Sequence, residues 1–420
     1  MGFIDSLTAV ILTFSFLGVL LYKRVNLAIT LNATALLLAL LTLDWQNIPK
    51  VISNTTDYST DEGMQAILVV LATFGITFLS QLYNETGEIK RLSESLSKIV
   101  KNSKIISTVL PAIIGFLPVA GGALMSAPIV DAETEKLKLT PEKKTYVNLW
   151  FRHTIFPVYP ISQLLITTAT LTNVPMFLII LRQIPVVIVM VIVGYLIAFW
   201  KVSNIKSPEN HGKSNLISNL KEFLVSFSPI LATIIVVVAL GSVGFNLSKQ
   251  GFDVLIATLV GILILIIISK ATSKVLTKPL KNRGIYGITL AVYGAFLLRN
   301  VIKTAGVSEV FNTLVTNGNV NVVALLTIIP GALGFLTGSP LAGISISVSI
   351  MEGVVHFLPS VASLIYMSAY LGYIIAPTHL CFTFTAEYFK CSLGKTYKYV
   401  IPSFLATFIT ALLIYFLLIK

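Results

Sequence analysis

Apolar runs of roughly 18 to 25 residues recur along the whole chain, each long enough to cross a hydrocarbon core about 30 Å thick. They predict helical spans near residues 3–22, 25–43, 66–83, 146–172, 176–200, 226–246, 252–269, 284–301, 361–386 and 397–419. The first run is too long for the apolar core of a signal peptide and lacks a basic start, so it reads as a retained span. Two further apolar segments, 105–130 and 324–350, are interrupted by glycine and proline. One reads Gly115-Phe116-Leu117-Pro118-Val119-Ala120-Gly121-Gly122, and about 219 residues later comes Gly334-Phe335-Leu336-Thr337-Gly338-Ser339-Pro340. A second break follows each: Phe156-Pro157-Val158-Tyr159-Pro160 in the first half, Ala376-Pro377-Thr378-His379 in the second. Paired interruptions of this kind are the pattern by which a sequence marks a binding site at membrane depth.

Lysine and arginine placement decides whether the broken segments cross or turn back. If both are re-entrant hairpins, 23 of the 30 basic residues fall in cytoplasmic loops and only Lys50, Lys249, Lys303 and Lys420 lie outside. If both cross, that asymmetry disappears. The expected fold is an all-α membrane protein of about 10 transmembrane helices plus two re-entrant hairpins, arranged as an inverted-topology repeat. Residues 1–200 would form the first repeat, with three spans, a hairpin from the cytoplasmic side and two spans. Residues 226–420 would repeat this order with the hairpin entering from outside, and 201–225 would be a hydrophilic cytoplasmic linker. An amphipathic stretch precedes each hairpin, at 85–104 and 303–319. In the first, Glu88, Arg91, Ser95 and Lys98 are spaced to share a polar face.

Composition supports the membrane reading: 55% of residues are hydrophobic and 11% charged. The net charge of +12 is spread over short loops, where it sets topology rather than binding nucleic acid. The expected location is the cell (plasma) membrane, with the lipid bilayer as a partner. Cys381 and Cys391 both fall towards the cytoplasmic side, so no structural disulfide is expected. His379 and Cys381 could ligate a metal, but two ligands make no closed site, and no metal site is assigned.

Non-helical backbone survives at membrane depth only where protein or a water-filled cavity satisfies it. The hairpin tips therefore supply candidate substrate- or ion-binding residues: Gly121, Gly122 and Ser126 in the first, Thr337, Gly338 and Ser339 in the second. Pro157 and Pro160 lack an N–H and free backbone groups behind them, as Pro377 does in the second half. Half-helix ends would then converge on one site, several with their positive ends inward. Arg152, His153, Pro157, Tyr159, Thr378 and His379 complete the set. An intramembrane arginine costs at least about 2.5–3.5 kcal/mol, so Arg152 either binds an anion or pairs structurally with a carbonyl or Asp131. The histidines either carry a coupling proton or pack by a hydrogen bond. Arg182 and Arg299 can snorkel to headgroups, and Glu352 and His356 would lie at the outer surface.

The expected function is secondary active transport of a small anionic solute coupled to Na+ or H+, with no catalytic residues and no other cofactor. A channel is one alternative. The other is an intramembrane serine hydrolase using Ser339 and His379. No phosphate-binding loop of the Walker type occurs.

Asn148-Leu149-Trp150-Phe151-Arg152-His153, the Pro157 to Pro160 run and Ala376-Pro377-Thr378-His379 resemble an uncharacterised domain-of-unknown-function family of prokaryotic membrane proteins. In architecture nearly the whole chain resembles the ion transporter superfamily, which includes divalent anion/sodium symporters and citrate, gluconate and arsenite transporters. That resemblance implies a homodimer, with a scaffold from the first three spans of each half and a transport domain moving elevator-fashion. The dicarboxylate members carry Ser-Asn-Thr at each hairpin tip. Here the tips are Gly121-Gly122 and Thr337-Gly338-Ser339, so sodium coupling and dicarboxylate binding do not carry over residue by residue.

Overall fold

The computed structural model describes residues 6–117, 122–203, 216–242, 251–318 and 320–418. The protein is an all-α membrane protein, and no strand forms among the described residues. The first half contains α1 (Ser6–Tyr22), α2 (Leu27–Thr42), α3 (Ile48–Asn54), α4 (Asp61–Glu85), α5 (Glu88–Ile99), α6 (Ser103–Gly115), α7 (Ala123–Lys136), α8 (Pro141–Arg152), α9 (Gln163–Thr172) and α10 (Met176–Phe199). The second contains α11 (Leu216–Ser242), α12 (Phe252–Ser269), α13 (Ser273–Thr277), α14 (Arg283–Thr304), α15 (Val307–Asn317), α16 (Val322–Thr337), α17 (Pro340–Met351), α18 (Pro359–Ile375), α19 (Leu380–Tyr388) and α20 (Leu393–Leu417). Both halves run in the same order: two helices, a short connector, a long helix, an arm, two paired short helices, a broken helix and a final long helix.

Among the described residues, seven helical segments are long and apolar enough to cross a membrane, including the interrupted stretch Pro359–Tyr388. The other three expected spans depart from a plain crossing helix. α1 and α2 have 17 and 16 residues, and the 146–172 stretch is split into α8 and α9 by the break the prolines predict. The helix expected over 226–246 begins ten residues earlier, at Leu216.

Packing follows an exchange rule. α5 lies against α11, and α15 lies against α1. α6 packs on α7 and α8 as α16 packs on α17 and α18, while α7 meets α19 as α17 meets α9. The two paired-helix units share details at an offset of 219 residues. Asn102 caps α6 by accepting from Lys104 N and Ile105 N, and Asn321 caps α16 by accepting from Val323 N and Ala324 N. Pro111 and Pro330 lie inside the same two helices. Gly115 and Gly334 let each helix approach the broken helix that follows: a Cβ would run into the backbone oxygen of Arg152 in one case and of Ala369 in the other.

The amphipathic arms form as expected, with one correction. Glu88 and Ser95, read as part of one polar face with Arg91 and Lys98, are buried, and Glu88 accepts from Ser226 of α11 at 2.8 Å. The pairing partner lies far away in sequence, so helical spacing alone could not place that face. Arg299, read as snorkelling to headgroups, instead makes a bidentate pair with Glu352 at 2.7 and 2.8 Å, which takes Glu352 out of a free outer surface. Residues 118–121 of the first hairpin, and 204–215 of the expected 201–225 linker, lie outside the described residues.

Candidate functional site: a cavity between two broken helices

α8 begins with Pro141 at its first turn and runs to Arg152, after which the chain passes through turns until α9 starts at Gln163. α18 stops at Ile375 and α19 starts at Leu380, across Pro377. Each break frees backbone oxygens, and buried groups of this kind must find donors. Two tyrosines one helical turn apart on α18 serve the first break: the Tyr370 hydroxyl donates to His153 O at 2.7 Å and that of Tyr366 to Phe156 O at 3.1 Å. At the second break, the Tyr397 hydroxyl of α20 donates to Ile375 O at 2.8 Å.

A cavity of about 410 Å³ lies between the two breaks. Of the residues predicted from sequence, Arg152, His153, Tyr159, Gly338, Ser339 and His379 line it. The others do not. Ser126 is buried and donates to Asn148 Oδ1 at 2.6 Å, while Asn148 Nδ2 donates to Ala123 O at 2.9 Å; together they hold the start of α7, next to Gly122, against α8. Thr337 shapes the second tip by donating to Leu333 O and accepting from Ser339 N. Thr378 packs where a Cβ on Gly338 would go, and Gly338 has φ +60°. Pro157 makes the break without reaching the cavity wall. Gly121 lies outside the described residues.

Among the described residues lining the cavity, the charged side chain is Arg152. Arg152 is 1% exposed. Its Nη2 donates to Leu117 O at 3.1 Å, while Nε and Nη1 have no partner. The alternative partner considered for it, Asp131, is bound instead by Lys144 at 2.8 Å. Three helices also begin at the wall. α9, α17 and α19 start after Ser162, Ser339 and His379, none of which caps its helix with its side chain, and all three residues line the cavity. Each start presents free N–H groups and the positive end of a helix dipole. The first hairpin was expected to add a fourth such end, but Gly122, the residue before α7, does not line the cavity.

The histidines are held by their Nδ1 atoms. His153 Nδ1 lies 2.7 Å from Leu149 O and His379 Nδ1 lies 3.4 Å from Ile374 O. A carbonyl oxygen only accepts, so in the neutral rings Nδ1 carries the proton and Nε2 offers a lone pair. The Tyr373 hydroxyl is 3.5 Å from His153 Nε2, whereas His379 Nε2 is buried without a partner. Ser339 and His379, the alternative hydrolase pair, share the cavity but no hydrogen bond joins His379 Nε2 to any group. The rings of His153 and His379 are 4.7 Å apart, edge to face, and the Tyr373 ring is 3.8 Å from His379.

Sequence reading left Tyr373 out of the site, and it set Cys381 aside for want of a third ligand. Tyr373 sits four residues before Pro377, near enough to the break to have been suspected. Cys381 comes within 4.8 Å of the ligand atoms of both histidines, completing a His2Cys group that two adjacent residues alone could not form. Those ligands suit zinc or another thiophilic ion. Arg152 at the same wall opposes a cation and favours an anion.

A family model described as "Protein of unknown function (DUF401)" matches residues 6–419. The chain belongs to this family. The match supplies no activity, and it adds nothing to the wider superfamily resemblance. No curated protein matches the chain. Among solved structures, MtrF of Neisseria gonorrhoeae, from a class of antimetabolite efflux pumps, is similar at 10% identity and a TM-score of 0.47, over 88% of this chain and 82% of that one. At that distance the likeness to MtrF carries nothing about activity to a member of the DUF401 family.

Proposed function

We propose that this protein is a secondary active transporter for a small anionic solute, with Arg152 as the anchor for the anion. The observation that carries the reading is the guanidinium itself: buried, on a cavity wall, with two nitrogens unpartnered and no carboxylate bound to it among the described residues. Burying an unpaired charge costs several kcal/mol, and an anion in the cavity would offset that cost. The uncapped starts of α9, α17 and α19 add to the same potential.

Two features support alternating access between halves of inverted topology. The exchange rule in the packing gives each half an equivalent arm, hairpin and broken helix. The cavity also reaches Asn26, at the start of α2, and Gly284, at the start of α14, both ends that the basic residues assign to the cytoplasm. On this reading the structure is inward-facing. Coupling to Na+ or H+, a homodimer, elevator-type movement and residence in the plasma membrane belong to the same proposal. A thermal-shift screen of the purified protein against anions, with and without sodium at two pH values, tests it. A stabilising anion whose effect is lost in Arg152→Gln supports the reading, and a panel in which no anion discriminates between the two proteins counts against it.

A further inference from the structure

We infer that the solute is a monoanion with an apolar body that donates a hydrogen bond beside its charged group, such as a hydroxy- or amino-substituted monocarboxylate. This deepens the proposed function and rests on it. Arg152 is the one permanently charged residue among those lining the cavity. Its two unpartnered nitrogens, Nε and Nη1, lie on opposite edges of the guanidinium, and either edge, completed by the second N–H of Nη2, suits one carboxylate. A second carboxylate would lie against walls built from Phe156, Ile161, Leu164, Ile288 and Leu341, where no further cation meets it and its desolvation goes uncompensated. Those same side chains favour an apolar body, and a volume of about 410 Å³ is in the range of sites for small organic molecules.

The donor requirement comes from His379. His379 lines the cavity; its Nδ1 is turned to Ile374 O, and its Nε2 is buried with no partner. A lone pair in that position accepts, so a ligand that fills the cavity without an N–H or O–H leaves it unsatisfied. His153 adds no second requirement of this kind, because its Nε2 faces the Tyr373 hydroxyl. The carboxylate on Arg152 and the donor on His379 must also be close together in the ligand. The Arg152 and His153 positions adjoin in sequence, and the His153 ring touches that of His379 at 4.7 Å.

A ligand series on the full-length wild-type protein in detergent tests this without any variant. The probes are 3-phenyllactate, 3-phenylpropionate, phenylsuccinate and the neutral 3-phenyllactamide, with affinities read from concentration-dependent thermal shifts. The expected order places 3-phenyllactate first. Removal of the hydroxyl in 3-phenylpropionate should weaken binding about 5- to 150-fold, the range for an acceptor left unsatisfied. The second charge of phenylsuccinate should weaken it at least about tenfold, and the lactamide should not bind. In His379→Phe the preference for phenyllactate over phenylpropionate should vanish while both remain sensitive to Arg152→Gln. Phenylsuccinate binding as tightly as phenyllactate would overturn the single-charge inference, and equal binding of phenylpropionate would overturn the donor inference. A protein that responds to no member of the series, or whose responses survive Arg152→Gln, defeats the anion-site reading itself.

Discussion

The Tyr370 hydroxyl donates to the backbone oxygen of His153 across 217 positions of sequence, at 2.7 Å. The second half thereby satisfies the backbone that the first half breaks. Removing one hydroxyl leaves a buried carbonyl oxygen without its donor, at a cost of about 1–3 kcal/mol. Tyr370→Phe, and Tyr366→Phe at Phe156 O, should therefore lower the thermal transition in detergent. Tyr22→Phe, at a side chain 89% exposed, should leave it unchanged. Equal melting of all three variants and wild type would remove the tyrosines from this role.

Close approach at two glycines sets the position of α6 and α16 against the broken helices. A Cβ at Gly115 or Gly334 meets a backbone oxygen that cannot rotate away, and overpacking of this kind costs about 1–3 kcal/mol. Gly115→Ala should both destabilise the fold and weaken the anion response, because the oxygen it displaces belongs to Arg152. Gly18→Ala, with open space around it, should do neither. An unaltered anion response in a destabilised Gly115→Ala would separate α6 from the site.

The paired breaks and the buried Arg152 were legible in sequence because glycine, proline and arginine are costly in apolar helices and therefore stand out. The 219-residue offset was visible at Gly115 and Gly334, though Asn102 with Asn321 and Pro111 with Pro330 extend it. What stayed hidden was pairing between distant residues. Tyr366, Tyr370 and Tyr373 look like ordinary members of an apolar helix until the chain folds and their hydroxyls meet the other break. Cys381 could be seen beside His379 but not beside His153. The burial of Glu88 could not be read from the arm's spacing because its partner, Ser226, sits 138 residues away.

Arg299 and Glu352 join α14 to the end of α17 through two parallel bonds, with side chains 16% and 23% exposed. A double-mutant cycle with Arg299→Gln and Glu352→Gln should give a coupling of about 1–2 kcal/mol, within the range for residues in direct contact. Additive effects of the two substitutions would show that the pair contributes nothing to holding α17.

The arms provide the test of inverted topology. Lys90 on α5 and Thr316 on α15 are both exposed. In a background free of Cys381 and Cys391, Lys90→Cys should react with a membrane-impermeant thiol reagent only from the cytoplasmic face and Thr316→Cys only from outside. Labelling of both from one face would contradict the opposed hairpins.

The account turns on Arg152 holding an anion that then crosses the membrane, and counterflow into proteoliposomes measures this directly. Vesicles preloaded with the best anion from the thermal-shift series should take up labelled anion in a saturable, trans-accelerated way. Arg152→Gln, reconstituted to the same level, should lose about 10- to 100-fold of that flux, the equivalent of one or two charge-assisted hydrogen bonds. Counterflow that is undiminished in Arg152→Gln would contradict the central claim.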